Sequence, residues 1–185
     1  MRQRGAGGKR RKQGEGNQAT DSHAPSLLRS VHNDKTVPMT DADLIAAARA
    51  AALRAYAPYS KFSVGCAIES VDGEVVTGAN MENACYRLGL CAEVSALTLA
   101  QAIFGLEKVA RIAVAGGDGS GSELAGEAAV TPCGGCRQSI LEAAQLSGVD
   151  VEILCASGDG QTVARHTIGE LLPHGFGPAS LKDAG

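Results

Sequence analysis

From residue 41 onward, apolar positions fall three and four apart. Leu44, Ala48, Ala51 or Ala52, and Ala55 share one face, which predicts a helix over 41–55. Thr40 or Asp41 supplies its N-cap, and Pro58 forces its end. Beyond Pro58 the pattern changes: 62–70 and 74–79 read as strands, joined across 71–73, where Asp72-Gly73 is a hairpin signal. Residues 93–102 are rich in Ala and Leu and read as a buried helix. Then come a strand at 109–116, a helix at 138–146, and strands at 151–155 and 162–167 separated by the turn Gly158-Asp159-Gly160. A short helix at 168–172 stops at Pro173. The order helix, hairpin, helix, strand, helix, strand, strand predicts an α/β fold, a three-layer α/β/α sandwich built on a mixed five-stranded sheet.

Residues 1–38 show no such pattern. They hold eight Lys and Arg against three acids, a net of +5, which leaves −8 for the remainder of a chain whose total is −3. Gly, Gln and Ser fill the gaps, so this stretch is expected to be a disordered basic extension ahead of one domain at 39–185. A basic run can be a nucleic-acid arm or simply a solvated tail. With nine basic against seventeen acidic residues in the domain, the solvated tail is the better reading and a nucleic-acid partner is not expected. Met39-Thr40-Asp41 opens directly onto the first helix, which makes Met39 a second candidate for the natural start.

Of the 185 residues 44% are hydrophobic but only 3% aromatic, so the core must be built from Ala, Val, Leu and Ile. There is no secretory signal pattern and no long apolar span, so the six cysteines read as reduced or metal-bound thiols of a cytoplasmic protein without membrane contact. Cys66, Cys85 and Cys155 sit in apolar surroundings and read as small core residues. The glycine-rich stretch 116–125 lacks a following Gly-Lys-Ser/Thr and reads as a surface loop, not a phosphate cradle.

The candidate chemistry lies in Cys91-Ala92-Glu93 and, 42 residues after Cys91, in Pro132-Cys133-Gly134-Gly135-Cys136-Arg137. Three thiolates without an obvious fourth ligand suit catalytic zinc, which keeps a position for water and brings that water's pKa toward neutrality. A structural knuckle would want a fourth ligand, and a redox Cys-x-x-Cys would not need the upstream Cys91-Ala92-Glu93. Glu93 is the free carboxylate that could move protons; its alternative role is only to complement a helix dipole. It reaches the metal only if Cys91 stands where the helix begins. All three thiolates would then sit at helix N-termini, whose partial positive charge favours the ionised sulfur. Arg137 could offset the sulfur charge or form a surface salt bridge.

These motifs resemble the zinc-dependent nucleoside deaminases. Ala55-Tyr56-Ala57-Pro58-Tyr59-Ser60-Lys61-Phe62-Ser63-Val64-Gly65, Asn80-Met81-Glu82-Asn83-Ala84-Cys85-Tyr86 and Leu171-Leu172-Pro173-His174-Gly175-Phe176-Gly177 are similar to the homotetrameric cytidine deaminases, over about residues 40–182. The resemblance implies one Zn2+ per subunit on Cys91, Cys133 and Cys136. It implies Glu93 as the catalytic acid/base that protonates the pyrimidine N3 and carries a proton to the leaving amine. It places the ribose 3′-hydroxyl on Asn80 and Glu82 and the ring against Phe62. Ala84, Tyr86, Ala92 and Phe176 complete the substrate contacts, partly from neighbouring subunits. The implied activity is conversion of cytidine and 2′-deoxycytidine to uridine and 2′-deoxyuridine in pyrimidine salvage. A deaminase of another cytosine nucleoside and a nucleic-acid editing protein are the rival readings. One position departs from the pattern: many relatives with three cysteines carry Arg after the catalytic Glu, and here Val94 stands there, which predicts weaker zinc binding or a shifted pH optimum.

Overall fold

The computed structural model describes residues 39–182; the basic extension lies outside them. Its first helix, α1 (Asp41–Ala52), is capped by Thr40, whose side chain accepts from the Asp43 N–H. It is three residues shorter than the periodicity predicts. Arg54 and Ala55 instead donate back to the carbonyls of Ala51 and Ala52, three residues behind them, tightening the last turn before Pro58.

Strands β1 (Phe62–Ser70) and β2 (Val75–Ala79) form the expected hairpin, with Gly73 in the left-handed region of the turn. After α2 (Ala92–Ile103) the chain enters β3 (Val109–Asp118), then α3 (Gly134–Ser147), β4 (Glu152–Ser157), β5 (Val163–Thr167), α4 (Ile168–Leu171) and α5 (Pro178–Lys182). The sheet order is β2-β1-β3-β4-β5, with β3 and β4 parallel and every other pair antiparallel. This is the mixed five-stranded sheet that the element order predicts.

Alternation along the strands divides the core between two faces. Ala67, Ala113, Ala115, Leu154 and Ala156 pack with Leu44, Ile45, Ala48 and Ala52 of α1. Cys66, Ile68, Ile112, Val114, Ile153 and Cys155 pack with Ala92, Ala96 and Leu97 of α2 and with Ile140 and Ala144 of α3. Helices therefore cover both faces, completing three layers.

Beyond α1, further boundaries and placements differ from the sequence reading. β3 extends to Asp118 because Gly116, Gly117 and Asp118 pair with Val64, Ser63 and Phe62, so the glycine run opens as strand, not loop. α3 starts four residues earlier, on two glycines that are poor helix formers but directly follow the N-cap Cys133. α5 is too short to leave a periodic signature. Cys85 is exposed, not a core residue; it sits in a turn where its N–H donates to the Asn83 side chain.

Small residues let α2 lie close to the sheet. A Cβ at Gly78 in β2 would stand 2.4 Å from Ala96 N and 2.7 Å from Ala92 O, both backbone atoms of α2. Gly78→Ala must push α2 outward, and overpacking of this kind costs about 3 kcal/mol. The expected result is a clearly lower thermal midpoint with weakened metal retention, since α2 carries part of the site described next. Calorimetry alongside zinc analysis checks both.

Candidate active site

The N-termini of α2 and α3 meet at the end of the sheet where β1 begins and β2 and β3 end. Cys91 is the N-cap residue of α2 and Cys133 that of α3, both in extended conformation, and neither uses its side chain to cap its helix. Cys136 lies in the first turn of α3. The Cys91 and Cys133 sulfurs are 4.0 Å apart and those of Cys133 and Cys136 are 3.4 Å apart. All three Sγ atoms lie within 4.8 Å of one another, the one such metal-competent trio among the described residues.

A tetrahedral zinc with bonds of about 2.3 Å to sulfur separates its ligands by about 3.8 Å. The thiols meet that spacing with little adjustment, and the donor set, three soft thiolates, suits zinc. Two helix N-termini point their partial positive charge at the trio. This satisfies the condition set by the sequence: Cys91 stands at the helix entrance, and the first turn carries Glu93 to the same side.

Burial pushes the Cys136 thiol, 1% exposed, strongly upward, and the Glu93 charge adds to this. Burial also raises Cys91, whereas the Cys136 N–H donating toward its sulfur lowers Cys133. A thiol with a raised pKa holds its proton at neutral pH, so a cation must displace it. Zinc affinity is therefore expected to fall on acidification by about tenfold per pH unit for each proton released, with Cys91 and Cys136 together supplying at least two. Chelator competition between pH 6 and 8 measures the slope.

Glu93 is 4% exposed. Among the described residues its carboxylate has no hydrogen-bond partner, and its charge raises the thiol pKa of Cys66, Cys91, Cys136 and Cys155 around it. It lines a cavity of about 400 Å³ together with Asn80, Glu82, Tyr86, Cys91, Ala92 and Cys133. No buried side-chain oxygen among the described residues lacks a hydrogen-bond partner, so the Glu93 oxygens are open to this cavity; a carboxylate held by no other protein group and facing a cavity beside three thiols is placed for chemistry.

Asn80 and Glu82 follow β2 and stand at the rim. The Val64 N–H donates to Asn80 Oδ1 at 2.8 Å, and Asn80 Nδ2 donates to the Phe62 carbonyl, so this side chain fastens the start of β1. Glu82 Oε2 accepts from the N–H groups of Tyr59 and Ser60, at 2.8 and 3.2 Å. The Ser60 hydroxyl, with those N–H groups, holds the Glu82 carboxyl below the usual range.

The other expected contacts divide. Tyr86 lines the cavity mouth, 81% exposed, its ring edge-on to Tyr59 with centroids 6.0 Å apart. Phe62, Ala84 and Phe176 do not line this cavity within one chain; Phe62 is half exposed against Gly116, and Phe176 is 63% exposed. Val64, Met81, Leu90, Val130 and Thr131 line it without having been singled out in the sequence. Three of these carried a signal: Val64 and Met81 lie inside the motifs 55–65 and 80–86, and Thr131 stands directly before Pro132-Cys133.

Val94 faces away from this cavity, into an apolar groove of about 500 Å³ between α2 and α3. Arg137 makes no ion pair among the described residues. It donates to the carbonyls of Pro132 and Leu171 instead.

Residues 38–149 match the family model described as the cytidine and deoxycytidylate deaminase zinc-binding region. A cytidine deaminase of Halalkalibacterium halodurans is 38% identical over 129 residues, which cover 70% of this chain and 88% of that protein. One from Mycobacterium tuberculosis is 40% identical over 127 residues, 69% of this chain and 82% of the relative. The crystal structure of cytidine deaminase from Burkholderia pseudomallei superposes with a TM-score of 0.64 at 40% identity, covering 75% of this chain and all of that one.

Proposed function

The chain belongs to the cytidine and deoxycytidylate deaminase family, and from this we propose that it hydrolyses cytidine and 2′-deoxycytidine to uridine and 2′-deoxyuridine with release of ammonia. The observation that carries the reading is the juxtaposition of three thiols at metal-ligand spacing with a buried, unpartnered Glu93 on one cavity.

Cys91, Cys133 and Cys136 hold one zinc per subunit. When bound, zinc supplies the Lewis acidity that makes a water nucleophilic near neutral pH. In net terms, the reaction adds the oxygen of one water to C4 of the cytosine ring. Glu93 takes the proton the water loses and delivers it to N3. C4 is then tetrahedral, carrying both hydroxyl and amine. Glu93 next moves the hydroxyl proton to the amine, which leaves as ammonia while the C4 carbonyl forms. Two proton transfers in sequence require a carboxylate not committed elsewhere, which matches its lack of a protein partner.

Among the described residues of one chain, the cavity lining contains two acids and no Lys, Arg or His. This favours an uncharged nucleoside over a 5′-phosphorylated one. Glu82, its Oε2 fixed by two N–H groups, accepts from the ribose 3′-hydroxyl, and Asn80 completes that contact. Glu82→Ala is expected to raise KM for cytidine by about 10- to 100-fold, the range for losing a hydrogen bond to a charged acceptor. With 2′,3′-dideoxycytidine, which lacks the hydroxyl, wild type and variant should have similar KM; equal losses on both substrates would count against the contact.

Ala92 and Tyr86 contact the substrate from the cavity of their own chain, and Phe62, Ala84 and Phe176 complete the site in a homotetramer whose active sites lie at subunit interfaces. Exposed Tyr86 lies against exposed Tyr59 and shares the cavity mouth with exposed Met81 and Leu90, a contiguous apolar patch of the kind that marks an interaction surface, which supports this. Residues 39–185 form the deaminase domain, with 1–38 as an extension. A cytoplasmic place in pyrimidine salvage suits its free thiols, and no helix among the described residues is long and apolar enough to cross a membrane. The deciding experiment incubates zinc-loaded protein with cytidine and follows uridine and ammonia. Both are expected in equal amounts; zinc-replete protein that forms neither would end the proposal.

A further inference from the structure

We propose that Arg137 is a positioning residue that joins the metal-binding turn and the C-terminal segment into one mechanical unit. Arg137 follows Cys136 directly. Its Nε donates to the Pro132 carbonyl at 2.9 Å and its Nη1 to the Leu171 carbonyl at 3.2 Å. Pro132 is fully buried and immediately precedes Cys133. Leu171 ends α4 and opens the run to Phe176.

Two further side chains of α3 continue the grip. Gln138 Nε2 donates to the Phe176 carbonyl at 2.6 Å, and Gln145 Oε1 accepts from the Ala179 N–H at 2.9 Å. The fit is close enough that a Cβ at Gly175 would stand 2.4 Å from Leu141 Cδ2. The helix that carries Cys136 therefore holds the segment that carries Phe176.

Among the described residues, Arg137 is the side chain that hydrogen-bonds both the metal-binding turn and the C-terminal run. A guanidinium donates through several N–H groups in a fixed plane, and a charged donor binds a carbonyl more strongly than a neutral one. The Pro132 contact fixes the backbone one residue before Cys133 and so the Cys133 sulfur relative to that of Cys136. Groups that orient a ligand in this way set metal retention. The Leu171 contact transmits the same restraint to the C-terminal run. Arg137 thus acts through hydrogen bonds to the backbone, not by pairing with an acid.

This inference rests on the thiols being the zinc site but not on the substrate. Its test compares zinc-loaded full-length wild type, Arg137→Lys and Arg137→Ala. Zinc loss to excess metallochromic chelator is expected to be about tenfold faster or more in Arg137→Ala, and intermediate in Arg137→Lys, which keeps the charge but not the fork. Amide exchange over 132–136 and 171–176 should rise together, and the gap between the thermal midpoints of zinc-loaded and zinc-free protein should narrow. A purely structural role would lower both midpoints in parallel and leave zinc release unchanged, which overturns the proposal. If Arg137→Ala does not fold, Arg137→Lys decides: release within about twofold of wild type overturns it. Cytidine turnover by the wild type is measured separately, so failure of the proposed reaction is distinguishable from failure of this coupling.

Discussion

Glu93→Gln leaves the zinc content and the fold unchanged and lowers kcat for cytidine by about a thousandfold or more, the upper part of the range for losing a general acid/base. The substitution keeps the shape of the side chain. Because the carboxylate faces the cavity and has no hydrogen-bond partner among the described residues, removing its charge breaks no contact there. It also removes the negative charge that raises the neighbouring thiols. Zinc binding should therefore hold or tighten while turnover collapses, a combination that a merely structural glutamate cannot produce. If Glu93 only complemented the dipole at the start of α2, the variant would lose a few tenths of a kcal/mol of stability and keep most of its activity. Turnover, zinc content and thermal midpoint measured on one preparation separate the two roles; turnover within about tenfold of wild type would rule out the proton-carrying role.

Much of this architecture was legible because local chemistry and global fold agree. The period at Leu44, Ala48 and Ala52 gave α1 and its buried face, and Asp72-Gly73 gave the hairpin. The trio was legible for a different reason: cysteines two segments apart have few uses in a chain without a disulfide context, and the Glu two residues after the first narrowed them further. What stayed hidden depends on contacts distant in sequence. Gly117 and Asp118 read as loop because glycine has low strand propensity, yet pairing with Ser63 and Phe62 makes them strand. Asn80 read as a turn residue or a ribose contact; only the fold shows its amide bridging Val64 and Phe62. Arg137 had two readings from sequence, neither of which included carbonyls five residues before it and 34 after.

Cys136→Ser should lower zinc affinity by at least about a thousandfold, because it replaces a thiolate ligand with a hydroxyl that zinc binds poorly. The position leaves no alternative donor. Cys136 is 1% exposed in the first turn of α3, and among the described residues no other His, Cys, Asp or Glu joins the trio. Loss of stability could imitate loss of metal, so two other cysteines serve as controls. Cys155 is buried behind the site, its thiol pushed up to about 11 by burial, but it is not one of the trio. Cys155→Ser places a hydroxyl in that apolar setting and should cost about 1–3 kcal/mol of stability while one zinc per chain remains. Cys85→Ser, at an exposed turn, should change neither quantity. Elemental analysis and thermal midpoints on the three variants then give three separate outcomes: metal lost, metal kept with stability lost, and both kept. Metal retained in Cys136→Ser at wild-type affinity would mean that the sulfurs brought together at the starts of α2 and α3 are not what holds it, and the chemistry assigned to Glu93 beside them would have no nucleophile to serve.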